Sequence, residues 1–235
     1  LEMIDFWQRG HSTLLIAPTG AGKTLSGFLP SLIDSNGAKR DGIHTIYISP
    51  LKALAVDIAR NLEAPVAEMG LDITIETRTG DTPQSRRARI RSQPPHILLT
   101  TPESLELMLS WPDAASLFGS VKTIIIDEIH TVLGSKRGDL LSLSLATLRG
   151  LAPISQSIGL SATVADPQQL TPLLSAHPDE VVVFAPPLEK VIELSVMTTD
   201  DDSLPWAGHS ALYAMPRIYD LLRKHNTTLV FATGT

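Results

Sequence analysis

The sequence has no cysteine, few aromatic residues and no excess of positive charge. The lack of cysteine excludes disulfide bonds and thiolate metal sites within these 235 residues, and it fits a reducing cytoplasm, where we expect the protein to work. No apolar run approaches the ~20 residues that a membrane-spanning helix needs, and no signal-peptide pattern opens the chain, so we expect no membrane partner. A net charge of −6 argues against a broad basic surface, so any nucleic-acid contact has to be a local groove.

Short apolar, β-branched runs alternate along the chain with segments of helical periodicity. Strands are predicted at 13–16, 44–48, 73–77, 96–100, 122–127, 156–160 and 181–184. Helices are predicted at 24–34, 51–68, 84–91, 103–110, 138–149 and 166–174. Because the strands are apolar on both faces, this βαβα rhythm predicts an α/β fold whose mostly parallel sheet carries helices on both faces.

The pattern changes after residue 184. A strand-like run at 191–197 and an acidic loop are typical of a linker, and a helix at 214–225 and a strand at 228–231 are predicted next. We therefore expect a first domain over residues 1–190, a linker over 191–213, and the truncated beginning of a second domain over 214–235.

The segment APTGAGKT, residues 17–24, matches a phosphate-binding P-loop in its relaxed form, with Ala17 in place of the first Gly. It stands between an apolar run and a helical pattern, which is the strand–loop–helix context that the motif requires. Gly20 and Gly22 let backbone N–H groups turn towards an anion at the start of a helix. Lys23 would reach the β- and γ-phosphates of ATP, and the Thr24 hydroxyl would ligate Mg²⁺. The predicted cofactor-binding residues are Thr19, Gly20, Ala21, Gly22, Lys23 and Thr24.

The second chemical signal is IIIDEIH, residues 124–130, a buried strand that ends in two acids. Asp127 is placed to hold Mg²⁺ from its second side, and Glu128 to polarise an attacking water. A P-loop followed by a strand-terminal Asp-Glu pair predicts an NTPase in which Lys23, Asp127 and Glu128 are catalytic.

Further segments resemble the motifs of the superfamily 2 DEAD/DEAH-type helicases. They are motif I (14–24), motif Ia (47–54), RTGDT (78–82), motif Ib (100–103), motif II (127–130), SKRGD (135–139), motif III (159–163) and LPWAGHS (204–210). The strings SPLKALA, TRTGDT and GSKRGD narrow the resemblance to the large helicase-related (Lhr) group and its DNA-ligase-associated branch. The resemblance implies RecA-like P-loop domains and ATP-driven 3′→5′ movement on single-stranded DNA, with unwinding of duplex, in DNA repair. It also implies single-stranded or partly duplex DNA, a second RecA-like domain and ligase-associated repair proteins as partners.

The same resemblance assigns further site residues. Loops that follow strands at one sheet edge would contact strand phosphates through Ser49, Pro50, Lys52, Arg78, Thr79, Gly80, Thr100, Thr101 and Pro102. Hydroxyls of the Ser161-Ala162-Thr163 segment would bond towards His130 or Glu128 and couple phosphate state to the nucleic-acid side. His130 would sense hydrolysis as part of the catalytic group. Gln8 is the only glutamine shortly before the P-loop, and we expect it to select adenine.

A run of arginines at 86, 87, 89 and 91 allows two interpretations, a solvated helix face or part of a groove that follows phosphates. Three functional alternatives also stay open. These are an RNA helicase, a P-loop NTPase that is not a motor, and a nucleic-acid-binding ATP-binding module without motor activity. Such motors take an arginine finger from the second domain, a contribution of roughly 10³–10⁵ in rate, so we expect these 235 residues alone to be nearly inactive.

Overall fold

The computed structural model describes residues 2–18, 22–35, 42–162, 164–187, 195 and 215–231. Contacts divide the chain into two units, Leu1–Leu188 and Glu189–Thr235. The strands of the first unit are β1 (Thr13–Ile16), β2 (Thr45–Ile48), β3 (Ile75–Arg78), β4 (Ile97–Thr100), β5 (Thr123–Ile126), β6 (Gln156–Ser161) and β7 (Val182–Phe184). Its helices are α1 (Glu2–Gln8), α2 (Lys23–Ser35), α3 (Lys52–Glu68), α4 (Gln84–Ser92), α5 (Pro102–Leu109), α6 (Ala114–Phe118), α7 (Lys136–Leu151) and α8 (Thr171–Leu174). Three 3₁₀ turns lie at Ile129–Val132, Pro167–Gln169 and Pro178–Glu180.

The strands form one sheet in the order β3-β4-β2-β5-β6-β1-β7. Every pair of neighbouring strands in it runs parallel. Helices link the parallel strands and cover both faces, so the predicted α/β fold with a parallel sheet is confirmed.

Two apolar cores, one on each face of the sheet, stabilise it. Because side chains alternate along a strand, Ile46 and Ile48 of β2 join one core while Tyr47 joins the other. The first core includes buried side chains of α5, α6 and α7, and the second includes those of α1, α2 and α3. Burial on both faces explains why strands such as β2, β4 and β5 consist mainly of apolar residues.

The strand order decides where the motifs meet. Strands β2, β5, β6 and β1 are consecutive in the sheet, so motif Ia, the Asp127-Glu128 pair, motif III and the P-loop all follow the carboxyl ends of neighbouring strands. The carboxyl edge of an open parallel sheet is where ligands bind in such folds.

Three local predictions differ from the structure. The five-residue helix α6 was not predicted, because so short a segment has no helical period. The helix predicted at 166–174 is a 3₁₀ turn followed by the short α8, because Pro167 and Pro172 each stand in the first turn of a separate element. The strand predicted at 228–231 is wrong, since those exposed residues have no strand to pair with in the described part of the second unit.

The second unit contains α9 (Met215–Lys224), as the helical pattern predicted. Apart from Ser195, the predicted linker lies outside the described residues, as do Thr19, Gly20, Ala21 and Thr163. No helix within the described ranges is long and apolar enough to cross a membrane.

Candidate nucleotide-binding site and nucleic-acid edge

The P-loop connects β1 to α2 at the carboxyl edge of the sheet. The loop begins with Ala17, whose N–H donates to the carbonyl of Ser161 at 3.1 Å and so ties it to the end of β6. At its other end Gly22 has φ +77°, a left-handed conformation that glycine adopts without strain. The helix α2 then begins at Lys23, with Thr24 half-buried beside it.

Lys23 is the strongest sign of an anion site. Lys23 is the first residue of α2, which follows the carboxyl end of β1. The residue is only 7% exposed, and its Nζ has no hydrogen-bond partner among the described residues. A buried ammonium group without a partner is unstable, so this geometry fits a site completed by phosphate. A pocket of about 360 Å³ opens beside Lys23 and is also lined by Ala17, Ser26, Leu29 and Phe184. This volume is in the range of small-molecule sites, so the residues fit a nucleotide.

Gln8 does not reach that pocket. Its neighbour Trp7 donates from Nε1 to Oγ1 of Thr123 at 3.1 Å, and Thr123 is the first residue of β5. The end of α1 is therefore at the amino edge of the sheet, whereas Lys23 follows a carboxyl end. The start of α1 lines the pocket instead, through Glu2, Met3 and Ile4, so the geometry gives the expected adenine contact of Gln8 no support.

Asp127 follows β5 and is held by two donors. The residue is 4% exposed; the Tyr47 hydroxyl donates to Oδ2, and the N–H of Glu128 donates to Oδ1 at 2.9 Å. Burial first, and then the Asp127 carboxylate, raise the pKa of Tyr47 well above its ordinary value, so the phenol stays a donor. The described residues contain no group of three or more potential metal ligands. One fixed carboxylate and the Thr24 hydroxyl nevertheless fit Mg²⁺, which commonly takes one or two carboxylates plus substrate phosphates.

Glu128 has the left-handed backbone conformation, with φ 45° and ψ 41°. A non-glycine residue in this region is strained, and such strain concentrates at functional sites. The 3₁₀ turn that follows fixes it, since the N–H and the hydroxyl of Thr131 both donate to the Glu128 carbonyl, at 2.9 and 2.8 Å. Its half-buried carboxylate is thus positioned beside Asp127.

His130 joins motif II to motif III. Its Nδ1 lies 2.9 Å from Oγ of Ser161 and 3.5 Å from Oε2 of Glu128. Ser161 also accepts the Ala17 N–H through its carbonyl. One serine therefore contacts both the P-loop and the histidine beside Glu128, and its coupling role stays a prediction. Ala162 is half-buried next to it.

The predicted nucleic-acid loops line up at the same edge, but most of their side chains point inward. The buried Thr100 hydroxyl donates to the Arg78 carbonyl at 2.7 Å, and the buried Ser49 hydroxyl bonds to the backbone of Leu51. Thr101 and Pro102 are buried at the start of α5, and the Thr79 N–H donates to Thr82 Oγ1 at 2.9 Å. These hydroxyls bond within the loops, whereas Lys52 and Gly80 are exposed.

The side chains of Lys52 and of Arg78, the last residue of the edge strand β3, line different pockets. Lys52 is exposed and lies 3.1 Å from the Asp81 carboxylate, in a pocket of about 460 Å³ that also includes Thr79. Gly80 is exposed beside it. Arg78 is 3% exposed and lines a different pocket, on the α4 side.

Three of the four clustered arginines have carboxylate partners. Arg86 and Arg89 pair with Glu76, and Arg91 pairs with Asp113. Arg87 instead donates to two backbone carbonyls, those of Gly80 and Thr82, at 2.6 and 2.7 Å. The cluster therefore mainly braces α4 and the RTGDT loop.

The SKRGD string also has a structural role. Ser135 caps α7 by accepting the Gly138 N–H at 3.1 Å, and Arg137 pairs with Glu103 of motif Ib at 2.5 Å. A Cβ on Gly138 would lie 2.1 Å from the carbonyl oxygen of Val132, so only glycine fits. The first turn of α7, which follows motif II, is thus attached to the first turn of α5.

The family model of the DEAD/DEAH box helicases matches residues 1–170. The chain belongs to the DEAD/DEAH box helicases. Tyr47 is the site residue that sequence reasoning missed in this helicase domain, because a tyrosine in a buried strand is indistinguishable from core.

Sequence relatives place this helicase domain near the Lhr proteins. It is 43% identical over 248 residues to the protein named Lhr helicase/probable uracil glycosylase of Mycolicibacterium smegmatis, covering 98% of this chain and 16% of the relative. It is 37% identical over 244 residues to the ATP-dependent helicase Lhr-Core of Methanothermobacter thermautotrophicus, covering 95% of this chain and 28% of the relative. The chain thus spans less than a third of the length of these relatives.

A solved structure also shows similarity to the Lhr proteins. The helicase Lhr of Mycobacterium smegmatis bound to single-stranded DNA and AMP-PNP superimposes with a TM-score of 0.79 at 40% identity, covering 99% of this chain and 31% of that one. The DEAD-box helicase Mss116p, at 20% identity and a TM-score of 0.66, shares the fold. The predicted RecA-like helicase fold and the resemblance to the Lhr group are confirmed.

Proposed function

We propose that this helicase domain binds and hydrolyses ATP and couples hydrolysis to 3′→5′ movement on single-stranded DNA. One observation carries the proposal. Four consecutive strands of the sheet end in the P-loop, motif III, the Asp127-Glu128 pair and motif Ia, and side-chain contacts join the last three of these directly.

The chain's own residues divide the chemistry of phosphoryl transfer to water. Lys23 binds the terminal phosphates and neutralises charge that develops on them. Asp127 and Thr24 would hold Mg²⁺, which, when bound, supplies further neutralisation of the β- and γ-phosphate oxygens. Glu128 accepts a hydrogen bond from the attacking water and orients it. His130 holds Glu128 in place.

We expect the nucleotide site to be coupled to the bound single-stranded DNA through the contacts of Ser161, His130, Asp127 and Tyr47. Ser161 contacts the P-loop through its carbonyl and His130 through its hydroxyl. From Asp127 the path continues through Tyr47 to β2, whose end carries Ser49. Ser49 donates from its N–H to the Thr100 carbonyl at 3.0 Å. A shift at the nucleotide is therefore transmitted to the two loops that would bind DNA, one after Ser49 and one after Thr100.

Single-stranded DNA is supported as the track by the Lhr structure, which holds single-stranded DNA. Lys52 at the first turn of α3 and the exposed backbone around Gly80 would contact its phosphates without reading sequence. Direction of movement, a DNA-repair setting, ligase-associated partners and a second RecA-like domain in the same chain are parts of this proposal that rest on the motif strings.

The test measures the ATPase rate of the full-length protein with single-stranded DNA, single-stranded RNA and neither. We expect DNA to stimulate turnover and to outcompete RNA, and we expect a Lys52→Ala variant to need more DNA for half-maximal stimulation. Movement is then followed on DNA labelled at either end, where 3′→5′ translocation displaces the 5′ label. Turnover that ignores both nucleic acids would favour a non-motor NTPase, and stimulation by RNA alone an RNA helicase.

A further inference from the structure

A groove lies between α4 and α5, at the end of the sheet that β3 forms. It has a volume of about 600 Å³, and its walls include Arg78, Arg87, Leu107, Trp111 and the ion pair of Arg91 with Asp113. Its volume falls in the range of small-ligand sites. The pocket of Lys52 lies on the other side of the same strand, because successive side chains of β3 point to opposite faces.

Arg78 is buried in this groove without compensation. The residue is 97% buried, with 3% of its surface exposed. Among the described residues its Nε has no hydrogen-bond partner, and the hydrogen bond from Nη1 to the Thr79 carbonyl is long at 3.5 Å. Burial and then the charge of Arg87 lower the pKa of Arg78. A buried guanidinium with unused donors requires an anion to be stable.

Arg87 adds a second cation that forms no ion pair with a carboxylate of the described residues. Its two hydrogen bonds go to the uncharged carbonyls of Gly80 and Thr82. The neighbouring Arg86, Arg89 and Arg91 all pair with carboxylates. Within the described residues, then, the only arginines of this region that lack an acidic partner are the two that interact with each other.

We propose that this groove binds one nucleotide unit of a single strand, with its phosphate on Arg78 and Arg87 and its base against Leu107 and Trp111. Guanidinium groups match phosphate geometry and can bind it through two hydrogen bonds. Leu107 is exposed and apolar, and the half-buried Trp111 packs against the Arg91 guanidinium, which lies 5.0 Å from the ring centre. Unpaired bases bind to aromatic and arginine planes of this kind.

A nucleotide fits better than a free anion or an acidic peptide. The groove begins where the proposed DNA edge ends, because Arg87 itself fixes the Gly80 and Thr82 carbonyls of the edge loop. A strand that crosses this loop can reach the groove without leaving the protein. The apolar wall at Leu107 would gain nothing from inorganic phosphate. The inference rests on the proposed function and extends it to a second, buried contact.

The decisive variant is Arg78→Gln, with Arg89→Gln as the matched control. Both changes remove one positive charge from the same region, but Arg89 pairs with Glu76 and does not line the groove. With oligothymidylate as the probe, Arg78→Gln should weaken binding on the order of tenfold, as the loss of a charge-assisted hydrogen bond predicts. It should also reduce the slope of log affinity against log salt by about 0.7, the value for one lost phosphate contact on a single strand. Arg89→Gln should change neither.

A second variant, Leu107→Glu, tests the groove at a position where the substitution should not affect folding. Leu107→Glu adds a negative charge at an exposed position, and it should weaken oligothymidylate binding while the thermal unfolding midpoint stays at the wild-type value. Quenching of tryptophan fluorescence by the probe should be smaller in Trp111→Phe than in wild type.

The outcomes separate this inference from the proposed function. If wild type binds oligothymidylate and Lys52→Ala weakens it, while Arg78→Gln and Leu107→Glu match Arg89→Gln, the groove is not part of the strand path and the inference is wrong. If polyglutamate displaces the probe from wild type but not from Arg78→Gln, the groove is a peptide site, which also overturns it. If wild type does not bind the probe at all, the proposed function fails and the inference fails with it.

Discussion

At the scale of single residues, the site depends on fixed carboxylates. Asp127 accepts hydrogen bonds on both oxygens and Glu128 is fixed by a strained backbone. Lys23, Asp127, Glu128 and His130 were identifiable as candidates because each stands in a motif whose spacing reflects chemistry, and their catalytic roles stay predictions. Tyr47 was not, since its hydroxyl matters only once β2 and β5 are neighbours.

The tyrosine donor can be removed without changing the packing. Tyr47→Phe keeps the ring that stacks on Phe28 but leaves one oxygen of Asp127 buried without a donor. We expect the Mg²⁺ concentration for half-maximal ATPase activity to rise about tenfold or more, as for other residues that orient a metal ligand. The free energy of unfolding should fall by about 1–3 kcal/mol. The control Tyr219→Phe, at an exposed position of α9, should change neither quantity. An Mg²⁺ titration identical to wild type would remove Tyr47 from the site.

The Glu128→Gln variant should separate ATP binding from ATP hydrolysis. The amide keeps the shape but cannot act as a base, so ATP should bind within about twofold of wild type while turnover falls by about 10² or more. Glu180→Gln, at an exposed position before β7, is the control. Turnover within about twofold of wild type in Glu128→Gln would show that another group orients the water.

At the scale of elements, the sheet was predictable and the loop interiors were not. Six of the strand predictions differ from the structure by two residues or fewer at each end, and 13–16 agrees at both, because most strands are short runs rich in apolar and β-branched residues. The predicted DNA contacts at Ser49 and Thr100 carry hydroxyls that bond inward. Serine and threonine are equally common in loops that bind ligands and in loops that bond to themselves, so sequence alone could not decide.

The turn between motif II and α7 depends on Gly138. In Gly138→Ala the new Cβ would overlap the Val132 carbonyl at 2.1 Å, so the backbone has to move. We expect a loss of about 1–3 kcal/mol in the free energy of unfolding, the range for overpacking. The control is Gly150→Ala in the same helix, where the Cβ meets nothing within 4 Å; a helical alanine there should raise stability by about 0.5–1 kcal/mol. Denaturant unfolding measures both, and equal effects would contradict the packing argument.

At the scale of the whole molecule, one sheet gathers residues that are more than a hundred positions apart into a single edge. Lys23 at β1 and Asp127 at β5 are separated by one strand, β6, whose Ser161 contacts both neighbouring segments. The order of strands could not be read from the sequence, but the rule that sites collect at carboxyl ends made their meeting predictable. The second unit contributes α9 among its described residues, and the predicted linker stays a prediction.

The central claim is that this domain binds ATP through the buried ammonium group of Lys23. Calorimetric titration of Mg-ATP tests it most directly, in a Glu128→Gln background so that hydrolysis does not intervene. Adding Lys23→Ala should raise the dissociation constant at least about tenfold, a loss of ~1.4 kcal/mol or more, while Lys224→Ala at the exposed end of α9 should leave it unchanged. ATP binding of equal affinity with and without the Lys23 side chain would contradict the account.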